Sequence, residues 1–225
     1  PGGNFKSSWF ALYNGRKDFG ESKTMTDLMG SLNDGRQKAF GGATQDQTAG
    51  NALESSNVGV PFGLVRAKVE AFTSANGNWA RILRGDFRKE NGSIVVISAG
   101  QIALARAEAA NYGWTSESLP TTYSLGISLS YEQWGLKLAN DYLGQASVAL
   151  DAPGAAGNLK KIATQRYIAH YPDGMQAWNI WRKTGFPELT PAPDATNASK
   201  QIPRRYTYGS TEFTSNKANE EAAVA

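Results

Sequence analysis

Apolar residues recur at helical spacing through most of the chain between residues 98 and 183. The segment from about 121 to 134 carries large apolar side chains at i, i+4, i+8 and i+11, which places them on one helix face. These residues are Tyr123, Ile127, Tyr131 and Trp134. An aromatic stripe of this kind is far more often core than cofactor site. The pattern therefore predicts a helix that is buried along one side.

The helix before it is rich in alanine and has a clear start and stop. Ser98 is followed three residues later by Gln101, the capping-box spacing that satisfies two otherwise unpaired backbone donors. The sequence "QIALARAEAANYG" then ends at Gly113. A small-residue helix followed by an aromatic-striped helix predicts a helical hairpin of the tetratricopeptide type.

A second helical hairpin is predicted at about 159–171 and 174–184. The turn "YPDG" separates its two helices, since proline and glycine interrupt regular structure there. Trp178 and Trp181 are three residues apart and share a helix face. We interpret this pair as core that packs the second hairpin on the first, with Arg182 exposed or paired.

The first 97 residues have weaker periodicity and are rich in Gly, Asn, Ser and Thr. A helix is predicted at about 24–33, where Met25 and Met29 belong to a helical apolar repeat. The run of 18 residues from Phe40 has almost no apolar period and predicts a surface excursion. Two β-prone runs flank an Asn-Gly turn dipeptide and predict a short β-hairpin at about 79–97.

The predicted fold is mainly α, with helical hairpins of the tetratricopeptide type, long ordered loops and one short β-hairpin. We expect a single domain over residues 1–225. Its parts are a loop-rich region (1–97), the helical hairpins (98–185) and an extended C-terminal segment (186–225) with four prolines before Tyr208. The final residues predict the start of another helix.

Composition excludes several classes of function. The net charge is only +3, and the Lys and Arg residues are scattered, so no nucleic-acid footprint is expected. Cysteine is absent, which excludes disulfides, thiol nucleophiles and thiolate metal sites. The most apolar stretch, 94–105, is far shorter than the roughly 20 residues that a membrane span needs. The first ten residues have no signal-peptide pattern, so a signal is either already removed or was never part of this sequence.

The sequence gives little support to catalysis, and we expect neither a cofactor nor a metal site. His170 is the only histidine, so a metal site would need carboxylates alone. No serine lies in a G-x-S-x-G elbow, and no phosphate-loop pattern is present. Glycoside hydrolysis would need two carboxylates at a fixed separation, which the sequence does not specify. The candidates are Asp18, Asp27, Asp34, Asp86 and Glu90.

Aromatic residues outside the helical stripes are the more informative feature. Several lie in loop or hairpin context beside amide and guanidinium side chains, a combination that suits the apolar faces and hydroxyl rim of a sugar. The alternative is that these rings anchor long loops to the body of the protein. The predicted ligand-binding residues are Trp9, Tyr13, Asn14, Arg16, Trp79 and Arg81.

The sequence resembles the C-terminal part of SusD/RagB-family proteins. "KIATQRYIAHYPDGMQAWNIWRKTGFPELTPAP" is similar to the family's helix pair, and "IPRRYTYGSTEFTSNKANEEAA" is similar to its ending. Further similarity is found in "ISAGQIALARAEAANYGW", "YSLGISLSYEQWG", "TMTDLMGSLNDGR" and "GVPFGL". Departures include Gln101, where relatives usually carry Glu, and Gly35 and Gly209, where Pro is common. The family's larger N-terminal half, with its lipid-anchor cysteine, is missing here.

The resemblance implies a non-enzymatic protein of the outer-membrane surface, lipid-anchored through that missing half. It implies capture of an oligosaccharide or similar nutrient and delivery to a SusC-like TonB-dependent transporter. In the family the helical repeats support the fold and face the transporter, and the loop-rich region, here 1–97, holds the ligand. Two alternatives stay open: a helical-repeat adaptor that binds protein without a small ligand, and a glycan-active hydrolase.

Overall fold

The computed structural model describes residues 6–13, 18–45, 51–152 and 154–224. The chain divides into two compact units, residues 1–189 and 190–225. The first unit contains the helices α1 (Ser8–Tyr13), α2 (Lys23–Ser31), α3 (Gln37–Phe40), α4 (Arg66–Ala75), α5 (Ala99–Asn111), α6 (Leu119–Glu132), α7 (Gly157–Ala169) and α8 (Gly174–Thr184). The second contains α9 (Glu212–Ser215) and α10 (Lys217–Val224). The predicted mainly α architecture is confirmed.

The helical hairpins follow from local sequence signals. α5 packs against α6 and α7, and α7 packs against α8. Ser98 caps α5 with the full capping box, in which its side chain accepts from Gln101 N–H and the Gln101 side chain accepts from Ser98 N–H. Gly185 ends α8 in the left-handed conformation, with φ of 80°. The aromatic stripe of α6 is buried along its whole length, as predicted.

One core serves the whole first unit. It combines the buried face of α2, the α6 stripe and apolar residues of α5 and α7, including Met29, Leu104, Ile127 and Ile162. Phe40 lies in the same core with no exposed surface. Gly41 and Gly42, which follow it, are buried as well. The surface excursion that was predicted to start at Phe40 therefore does not include these three residues.

The short sheet differs from the predicted hairpin. β1 (Gly41–Gly42) pairs antiparallel with β2 (Arg81–Ile82), with Gly41 opposite Ile82 and Gly42 opposite Arg81. The Asn-Gly turn does form, since Gly92 N–H donates to Lys89 O at 2.9 Å, but its flanks do not pair with each other. The partner of β2 is instead a strand about 40 residues earlier in the chain, and just beyond β2 the N–H groups of Leu83 and Arg84 donate to the carbonyls of Phe40 and Ala39.

The prediction that Trp178 and Trp181 form core is wrong. Both are only partly buried, and the buried face of α8 consists of Ala177 and Ile180. The Arg182 guanidinium lies 4.6 Å from the centre of the Trp178 ring. The helix therefore packs through its smaller apolar residues, and the large rings lie at the margin.

Candidate functional site

Tyr13 is a structural anchor in the interior. It is 4% exposed, and its hydroxyl donates to the carbonyl of Phe19 at 2.6 Å and accepts from the N–H of Ile82 at 2.7 Å. Burial raises the pKa of Tyr13 to about 12. The Arg88 guanidinium lies 4.4 Å from its ring centre. The expectation of a solvent-facing ring is wrong here, since both faces and the hydroxyl are occupied by protein.

Trp79 and Arg81 are buried against each other. The Arg81 guanidinium stacks 3.8 Å from the centre of the Trp79 ring, and the two residues are 8% and 7% exposed respectively. Arg81 Nη1 donates to the carbonyls of Ala43, Gly77 and Trp79 at 2.7, 3.1 and 2.6 Å. Arg81 thus stabilises the backbone around β2. Because both side chains are buried, their predicted exposure is also wrong. Asn14 and Arg16 lie outside the described residues.

Trp9, on α1, is the predicted residue that borders an open space. It is partly exposed and lines a cavity of about 350 Å³. This volume lies within the roughly 300–1,000 Å³ that is typical of small-molecule sites. The cavity is formed between α1, the segment 83–96 and the ends of α6 and α7. Its lining residues are Ser8, Trp9, Leu83, Asp86, Phe87, Gly92, Ser93, Ile94, Val95, Val96, Gln101, Gln133, Trp134, His170, Tyr171, Pro172 and Asp173.

The aromatic wall of the cavity is rigid because each ring is packed against another. Phe87 and Trp134 meet edge to face, with ring centres 5.1 Å apart. Phe40 stacks on Tyr171 at 4.2 Å, and the Tyr171 hydroxyl donates to the carbonyl of Phe40 at 3.1 Å. The sequence analysis assigned Trp134 to the core, which is correct. Helical periodicity could not show that the Trp134 side chain also lines the cavity.

Several polar groups of the cavity lining are acceptors. Gln133 Oε1 is buried and has no hydrogen-bond partner among the described residues. The Asp173 carboxylate caps α8 by accepting from the N–H groups of Met175 and Gln176, both at 3.1 Å. Asp86 accepts from Arg84 at 2.7 and 3.0 Å. An acceptor left unpaired in the interior is costly, and because Gln133 lines the cavity, a rotation of its side chain would let this oxygen receive a donor from a ligand.

His170 lines the cavity and is partly buried. Burial, together with the nearby Arg166, lowers the pKa of His170, although Asp173 acts in the opposite direction. The sequence analysis did not include His170, Gln133 or Phe87 among the predicted ligand-binding residues. No periodic signal marks them, because their place at the cavity depends on the packing of α6 against the segment 83–96.

A second recess, of about 720 Å³, runs beside α2 and is wider and more polar. Tyr131 is its aromatic residue, and the Tyr131 hydroxyl donates to Asp34 inside the protein. The smaller cavity has more aromatic surface and the unpaired amide oxygen, so we take it as the candidate site.

Four of the five carboxylates considered for hydrolysis form ion pairs with cations. Ion pairs join Asp27 to Lys23, Asp34 to Arg36, Asp86 to Arg84 and Glu90 to Lys6. Among the described residues, no group of three or more His, Asp or Glu side chains is placed to hold a metal ion. In the same part of the chain, no helix is long and apolar enough to cross a membrane.

A family model described as "Starch-binding associating with outer membrane" matches residues 2–209. The chain belongs to the SusD-like family. No curated protein matches it significantly.

Solved SusD homologues share the fold of this SusD-like chain. One from Bacteroides thetaiotaomicron is 23% identical, with a TM-score of 0.71 over 98% of this chain and 50% of that protein. One from Bacteroides uniformis is 24% identical, with a TM-score of 0.68 over 99% of this chain and 50% of that protein. A chitin-binding protein is 24% identical, with a TM-score of 0.64 over 90% of this chain and 46% of that protein. The chain spans about half the length of these structures.

Proposed function

We propose that this SusD-like chain binds a glycan in the cavity beside Trp9, without cleaving it. The observation that carries the proposal is a partly exposed indole on the same cavity as the unpaired Gln133 oxygen. A sugar ring offers C–H groups to an aromatic face and hydroxyl donors to an acceptor, so one ligand satisfies both features. The family's starch-binding description and the chitin-binding structural neighbour support a glycan as ligand.

The cellular role that we propose rests on family membership. A SusD-like protein at the outer-membrane surface, held there by a lipid anchor, would pass its glycan to a SusC-like TonB-dependent transporter. The family's association with the outer membrane supports this location. Co-purification of the transporter with the tagged full-length protein tests the partnership, and its absence under conditions that retain glycan binding would argue against delivery.

Replacing Trp9 tests the binding site. Isothermal titration with maltoheptaose and with chitohexaose should show binding of at least one of them by the unaltered chain. Trp9→Ala should weaken that binding roughly three- to tenfold, because one aromatic contact contributes about 0.5–1.5 kcal/mol.

The matched control is Trp114→Ala. Trp114 is 70% exposed and is not among the residues that line the cavity. Its removal should leave glycan affinity unchanged. If Trp9→Ala binds as tightly as the unaltered chain, the cavity is not the glycan site, and if neither sugar binds, the proposed function is wrong.

One feature favours the alternative of a protein-binding adaptor. Beyond the end of α5, Tyr112 and Trp114 stack on each other with ring centres 4.7 Å apart and are exposed by 41% and 70%. Exposed aromatic pairs are common at protein interfaces. Loss of transporter capture in Trp114→Ala, with no glycan response in any variant, would support the adaptor.

A further inference from the structure

The charged side chains that line the cavity are both acidic. They are Asp86 and Asp173, and no Lys or Arg is among the lining residues in the part of the chain that the structure describes. The chain as a whole carries a net charge of +3, so the charge of the cavity lining is opposite in sign to the net charge of the protein. A ligand that enters the cavity therefore meets negative charge.

Two guanidinium groups close to the cavity are already paired with carboxylates. Arg84 holds Asp86 through two hydrogen bonds and has only about a fifth of its side chain exposed. Arg166, on the wall of a smaller adjoining cavity of about 230 Å³, is paired with the buried Glu108. Glu108 also binds Lys183 at 2.5 Å. Each of these cations has a carboxylate partner, and recruiting one for an acidic ligand would break an existing ion pair.

The two glutamines of the lining are either already paired or present an acceptor. The Gln101 amide is used at both ends, since its oxygen accepts from Ser98 N–H at 3.0 Å and its nitrogen donates to Ala169 O at 3.2 Å. The unpaired atom of Gln133 is its oxygen, an acceptor. The lining carboxylates and Gln133 therefore provide acceptors for the hydroxyl or amide hydrogens of a ligand.

We propose that this cavity selects uncharged glycans, rich in hydroxyl or N-acetyl groups, and rejects glycans that carry uronate or sulfate groups. This inference rests on the proposed function and specifies the ligand class of the same site. An acidic sugar would lose hydration and approach the Asp173 carboxylate, with no Lys or Arg among the described lining residues to pair with it. Burying a charge without a partner is strongly unfavourable. A neutral sugar has no such cost and supplies the hydrogens that the acceptors need.

The test compares neutral and acidic forms of the same backbone. Maltoheptaose and chitohexaose are titrated into the chain beside their counterparts oxidised to carboxylates at C6. We expect the acidic forms to bind at least tenfold more weakly than the neutral forms at low salt. The difference should shrink as salt is added, since screening reduces repulsion between the partly exposed charges.

Two matched variants identify the cause of the discrimination. Asp173→Asn removes one cavity charge and keeps the cap of α8, because Asn and Asp cap helices about equally well. Asp141→Asn removes the same charge from an exposed site that is not on the cavity lining. We expect Asp173→Asn to narrow the difference between neutral and acidic ligands several-fold and Asp141→Asn to leave it unchanged.

The outcomes separate the inference from the function on which it rests. Equal affinity for neutral and acidic forms overturns the selection while leaving glycan binding intact. If the difference in affinity between neutral and acidic forms is the same in Asp173→Asn as in the unaltered chain, the charge mechanism is wrong. Binding of neither neutral sugar overturns the proposed function, and the selection with it.

Discussion

Glu21 retains its proton at neutral pH because it is buried without a cation. It is 1% exposed, and burial raises its pKa to about 8, although a hydrogen bond from Gln37 at 2.8 Å acts in the opposite direction. Its second oxygen has no partner among the described residues. The carboxyl sits beside Gly41, where a Cβ would lie 2.6 Å from Glu21 Oε2, so β1 and this side chain share a tightly packed space.

This raised pKa predicts that stability falls as pH rises. Between about pH 4.5 and pH 8 the folded state holds a proton that the unfolded state has released, so the free energy of unfolding drops by at most about 1.4 kcal/mol per pH unit from this group. Glu21→Gln removes the titration and should be more stable than the unaltered chain above pH 8, with little difference at pH 5. Urea unfolding across this range measures the effect.

Glu132→Gln, at an exposed position, is the control and should follow the pH profile of the unaltered chain. Parallel profiles for Glu21→Gln and the unaltered chain would contradict the assignment of a buried, protonated carboxyl.

The contact between α5 and α6 shows how small residues position an element. A Cβ on Gly100 would lie 2.9 Å from Ser130 N and 3.1 Å from Gly126 O, both backbone atoms that cannot rotate away. A Cβ on Gly126 would lie 2.6 Å from Leu104 Cγ. These glycines let the two backbones approach closely, and that approach carries the end of α6, with Gln133 and Trp134, to the cavity.

Gly100→Ala should therefore destabilise the protein by about 1–3 kcal/mol, the usual cost of overpacking, even though alanine favours helix formation. Gly30→Ala is the matched control, because Gly30 lies in α2 and a Cβ there meets nothing within 4 Å. We expect it to stabilise by about 0.5–1 kcal/mol. Thermal and urea unfolding measure both changes, and destabilisation by both substitutions would show that backbone conformation, not the helix contact, decides the effect.

At the scale of the whole first unit, a buried ion pair joins segments that are distant in sequence. Asp34 and Arg36 are fully buried and 2.5 Å apart. Arg36 donates to Ser130 of α6 at 2.8 Å and to Gln165 of α7 at 2.6 Å. The hydroxyls of Tyr131 and Tyr142 donate to Asp34 at 2.9 and 2.5 Å. Burial raises the pKa of Asp34, but Arg36 and these hydrogen bonds outweigh it and hold the pKa below its ordinary value.

Arg36→Met should destabilise the fold by about 3–5 kcal/mol, because it leaves the Asp34 carboxylate buried without its cation. Replacing both partners, as Arg36→Met with Asp34→Leu, should recover part of that loss. Arg66→Met removes an exposed guanidinium paired with Glu70 and should have no measurable effect. Urea unfolding of the four proteins provides the measurement, and equal effects of Arg36→Met and Arg66→Met would refute a joining role for the network.

The sequence by itself determined the helices from α5 to α8, the capping box at Ser98 and the buried stripe of α6. These features depend on contacts between residues three or four positions apart, which periodicity encodes directly. The resemblance added the family and, with it, the expectation of a glycan ligand.

Tertiary structure alone decided which aromatic rings stay accessible. Trp9 and Trp79 have the same side chain and both lie outside the helical stripes of the sequence, yet one borders the cavity and the other is covered by Arg81. The pairing of β2 with β1 was likewise invisible, because the two strands are about 40 residues apart. Exposure and long-range pairing depend on which distant segments meet, and no local pattern specifies that meeting.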